Sequence, residues 1–72
     1  MKRETADAAI AAMLAVVDTE INELKIDATT AIEDMEDGRS NGAIGATLAM
    51  DERLERIAAA LSAARLSHRA AA

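Results

Sequence analysis

The sequence predicts an all-α fold, an antiparallel two-helix hairpin (αα-hairpin) that dimerises into a four-helix bundle, and three observations carry that prediction. Apolar residues recur at alternating spacings of four and three through Ile10, Leu14, Val17, Ile21, Leu24, Ala28, Ala31 and Met35, and the pattern returns at Thr47, Met50, Leu54, Ile57, Leu61, Ala64 and His68. Each set is a heptad seam along one side of a long helix. The chain has no proline, and its three glycines, Gly38, Gly42 and Gly45, fall together between the seams, which marks one reversal. Finally, 51% of the 72 residues are hydrophobic but much of that is alanine, which favours helix and buries little area. A lone hairpin built this way is short of core, and a second copy supplies it most simply.

The first helix is expected over about residues 4–37. Thr5 is a candidate N-cap, with Glu4 and Asp7 favourable to the helix dipole. From Ala6 to Val17 nearly every residue is apolar, as in a helix buried on several sides. Past Val17 the seam narrows between Asp18, Glu20, Glu23 and Asp27, with Ala28 and Ala31 small enough for close approach, and Ile26 falls outside it. Gly38 suits the left-handed position that ends a helix, and Arg39-Ser40-Asn41-Gly42 is turn-forming, so a turn is expected over about 38–43. The second helix follows over about 44–69.

Pairing the seams symmetrically about that turn sets Ala28 beside Leu54, Leu24 beside Ile57, Ile21 beside Leu61 and Leu14 beside His68, matching large with small in several layers. It also brings Asp27 near Arg53 and Asp18 near Arg65. The residues expected to build the seam and the oligomer interface are Ile10, Leu14, Val17, Ile21, Leu24, Met50, Leu54, Ile57 and Leu61.

Net charge is −5, with acids concentrated before Gly38 and arginines after it, so the halves are complementary. Glu33, Asp34, Glu36 and Asp37 crowd the negative end of the first helix dipole, an arrangement costly enough to mark them as a candidate surface for a basic protein partner. The absence of cysteine removes disulfides and thiolate ligands and leaves the cytoplasm as the default location. Met1-Lys2-Arg3 before an alanine-rich stretch has the start of a signal peptide, but Glu4 and Asp7 interrupt it. The Ala8–Val17 run is far below the ~20 residues a membrane span requires.

Chemistry is thinly represented. Asp37, Asn41, Gly42 and Ile44 resemble the first, fifth, sixth and eighth positions of an EF-hand calcium loop, but Arg39 and Leu48 stand where the third and closing oxygen ligands belong. His68 is preceded three residues earlier by Arg65 rather than the glutamate of di-iron bundles. Ser40, Ser62 and Ser67 have no base placed beside them by the pattern. Met13, Met35 and Met50 read as packing residues. No cofactor, metal or enzymatic activity is expected. The sequence therefore points to a protein-interaction module or regulator, with nucleic-acid binding through Arg53, Arg56 and Arg65 as the alternative.

Overall fold

The computed structural model describes residues 1–71. Helix α1 runs Arg3–Glu36 and helix α2 runs Ser40–Ala70, packed against each other as a hairpin 55 Å long. Thirty-four residues at about 1.5 Å each account for that length.

The reversal is shorter than the expected 38–43. Gly38 takes φ +75°, a region that penalises any side chain. Around it the Gly38 amide donates to the Met35 carbonyl (3.1 Å) and the Arg39 amide to the Asp34 carbonyl (2.7 Å). This paired closure is a Schellman motif, which reverses the chain with one left-handed residue. Ser40, Asn41 and Gly42, read from the sequence as turn, are thus absorbed into the start of α2. The start of α1 also differs, since Lys2 caps it through its backbone, the Ala6 amide donating to the Lys2 carbonyl, and Thr5 lies within the helix.

Between the helices the facing rows are Ala6, Ile10, Met13, Val17, Glu20, Leu24, Asp27, Ala31 and Asp34 on α1, against Ala43, Ala46, Met50, Arg53, Ile57, Ala60, Ala64 and Ser67 on α2, all buried or half-buried. Among the described residues only Ala6, Ala43, Ala60 and Ala64 are buried, and no large side chain is.

The expected seam is half right. Ile10, Val17, Leu24 and Ala31, with Met50, Ile57 and Ala64, do face the opposite helix. Leu14, Ile21, Met35 and Leu54 are about half exposed, from 49% to 57%. Each helix is rotated from the expected phase by half a residue step, roughly 50°. The rotation turns Glu20, Asp27 and Asp34 inward on α1 and Arg53 inward on α2. Ile10, Val17, Leu24 and Ala31 keep a spacing of three and four with either neighbouring row, the apolar Leu14, Ile21, Ala28 and Met35 or the largely acidic Met13, Glu20, Asp27 and Asp34. The charges inside the hairpin decide which of them faces inward.

Candidate interaction surface

One flank of the interhelical seam is closed by ion pairs. Arg53 projects from α2 between two turns of α1, with its Nε donating to Asp27 and its Nη1 to Glu20 at 3.4 Å, and Glu23 lies 3.9 Å from its Nη2. Arg56 grips the same Glu20 with two hydrogen bonds, 3.0 Å from Nε and 3.2 Å from Nη2. The hydrogen bond from Arg56, joined by attraction to both guanidinium groups, holds the Glu20 carboxyl below its usual 4.5 against the opposing effect of desolvation. Arg53 is raised in turn, first by its hydrogen bond to Asp27. The expected Asp27–Arg53 pair is present, whereas Asp18 and Arg65 form no pair: Asp18 is exposed and Arg65 donates to Ser62 Oγ at 3.4 Å. Glu20 was legible as an inward residue only through its spacing, since Glu20, Asp27 and Asp34 recur every seven residues in line with Met13.

At the loop end, the acidic cluster has a local partner. Arg39 donates to Asp34 Oδ1 at 2.9 Å and lies 3.2 Å from Asp37 Oδ2. Asp34 also reaches over the first turn of α2, where its Oδ2 occupies space that a β-carbon on Gly42 would need, 2.6 Å away. A carboxylate suits that positive helix end. The apparent cost read from the sequence is therefore offset for Asp34 and Asp37 by Arg39 and by α2. Glu33 and Glu36 are exposed.

The opposite flank of the seam is apolar and open. Leu14, Ile21 and Met35 on α1 and Leu54 on α2 line it, and it widens into a groove near each end of the hairpin. The groove at the termini is lined by Ile10, Leu14, Leu61 and Ala64, with Arg65, His68 and Arg69 on its rim. The groove at the loop is lined by Ala31, Ile32, Met35, Ala43, Ile44 and Thr47, with Glu36 on its rim.

The terminal end is drawn together by the N-terminal ammonium donating to the Ala70 carbonyl (3.2 Å) and by Arg3 Nη1 beside His68 Nδ1 (3.3 Å). Asn41, Gly42 and Ile44, the residues of the calcium-loop resemblance, lie within α2 rather than in a loop. Among the described residues no group of three or more histidine, cysteine, aspartate or glutamate side chains is placed to hold a metal ion, and no helix is long and apolar enough to cross a membrane. No protein-family model, curated protein or solved structure matches the chain.

Proposed function

We propose that this chain is a non-enzymatic, self-associating helical hairpin that works as a protein-interaction module or small regulator. The observation that carries the proposal is the imbalance of its core: among the described residues four alanines are buried, while eleven large hydrophobic side chains, among them Leu14, Ile21, Met35, Leu54 and Leu66, are exposed. Burying a leucine or isoleucine is worth about 1.5–3 kcal/mol, whereas an alanine contributes far less. A chain of this size needs that burial to offset backbone ordering, so the hairpin's folding depends on contacts outside itself.

Nucleic-acid binding is the weaker alternative, because Arg53 and Arg56 face carboxylates of α1 and a phosphate would have to compete with Glu20, Glu23 and Asp27 for them. The exposed acidic Glu33, outside the loop-end groove, leaves room for a basic protein partner on the assembled bundle.

The test is thermal unfolding across a hundredfold range of protein concentration, read with light scattering. Folding coupled to association raises Tm as concentration rises. A fully helical 7.5 kDa monomer with a concentration-independent Tm defeats the proposal.

A further inference from the structure

Resting on self-association as proposed above, the geometry points to a specific dimer: a second copy docks face to face on the open apolar flank, with the two hairpins antiparallel, each loop end lying over the other copy's terminal end. Three observations select this surface, this occupant and this orientation.

The first is area. The chain exposes 4961 Å², roughly 700 Å² more than the ~4,250 Å² expected of a compact monomer of this mass. A standard protein interface removes about 800 Å² from each partner. The excess therefore matches one interface of ordinary size, and the open flank runs the length of the hairpin.

The second is side-chain size along that flank. Ile21 and Leu54 lie at about the same height, as the neighbouring Glu20–Arg53 and Glu20–Arg56 contacts require. A two-fold axis across the hairpin at that height sets Ile21 and Leu54 against their own copies. By the same symmetry Leu14 falls on the second copy's Ala28 and Leu61 on its Thr47, large against small in both cases. A two-fold axis along the hairpin instead stacks Leu14 on Leu61 at one end and leaves Ala28 on Thr47 at the other, crowding one layer and emptying the next.

The third is charge. Arg65, His68 and Arg69 rim the groove at the termini, near Lys2 and Arg3, whereas Glu36 rims the groove at the loop. Antiparallel docking lays each cationic rim over an acidic end, and parallel docking superposes like on like. Glu36, which has no ion pair within its own chain among the described residues, gains opposite charge across the interface.

The experiment measures the distance between spin labels on the two copies. The chain has no cysteine, so Asn41→Cys at the loop end and, in a second sample, Thr5→Cys at the terminal end each give one exposed label per copy. Light scattering on the same samples reports whether a dimer is present. A dimer whose labels are about 40 Å apart at Asn41 and about 50 Å apart at Thr5, as a rise of about 1.5 Å per residue from an axis at Ile21 and Leu54 gives, supports the inference. A dimer with closely spaced labels overturns the orientation and leaves self-association standing, while a monomer overturns both. Glu36→Arg provides an independent arm: dimer dissociation is expected to be several-fold stronger at low salt, with the difference fading as salt is raised. An unchanged or tighter dimer in that variant overturns the charge pairing.

Discussion

The two flanks of the interhelical seam differ in whether they are finished. On one, Arg53 and Arg56 meet Glu20, Glu23 and Asp27, so charged side chains that approach the seam find partners within the chain. On the other, Leu14, Ile21, Met35 and Leu54 are left half in water with nothing of their own chain to cover them. The contrast separates two jobs that a single hydrophobic seam would have merged. The charged flank fixes how the two helices sit on each other, because a guanidinium inserted between carboxylates tolerates little sliding or rotation. The apolar flank carries the unmet burial, and with it the need for a partner.

The largest effect expected from breaking this arrangement comes at the inner row that both flanks share. Leu24→Asp removes a half-buried leucine and adds a fourth carboxylate to Glu20, Glu23 and Asp27 around the one inserted Arg53, and should cost about 3 kcal/mol or abolish folding, whereas Thr29→Asp on the exposed face should stay within about 1 kcal/mol. Circular dichroism during urea titration measures both, and equal losses would show that the inner row is wrongly identified.

On the apolar flank, the cost of Leu54→Ala should depend on protein concentration. Truncation should weaken the dimer by about 2 kcal/mol or more and so raise the concentration at which the chain folds, and the Tm difference from the wild type should be followed across that range. A concentration-independent penalty would place Leu54 inside the hairpin after all.

The charged flank should make stability pH-dependent in acid. The folded state holds Glu20 below 4.5, so its contribution is present in full above that value and is lost as pH falls through the lower folded value, where protonation releases both arginines. Melting curves between neutrality and strong acid should show this loss, and Glu20→Gln should flatten that part of the profile.

The smallest effects lie at the loop end. Gly45→Ala, with nothing within 4 Å of the added carbon, should stabilise by up to about 1 kcal/mol through helix propensity. Gly42→Ala gains the same propensity but must displace the Asp34 carboxylate and disturb its pairing with Arg39, so it should be the less stable of the two. Equal Tm values for these variants would mean that Asp34 moves aside without cost.

Taken alone, the sequence determined the number of helices, the antiparallel hairpin and the left-handed residue at Gly38. Those features follow from periodicity, alanine content and the one place where glycines gather, all of which act over a few neighbouring residues. It also identified the Asp27–Arg53 pair, which survives the rotation of the helices because the arginine side chain is long. The turn length, the rotation of each helix and the destination of half the apolar seam were decided by the tertiary structure. A Schellman closure needs only one left-handed residue, so Ser40, Asn41 and Gly42 joined α2 although their composition reads as turn. Leu14, Ile21 and Leu54 fit a seam as well as Met13, Glu20 and Arg53 do by spacing alone. Only when α2 lies against α1 does Arg53 meet Glu20 and Asp27 together, and that turns the leucines out. Such a choice rests on charges far apart in the chain and close in space, which no local pattern records.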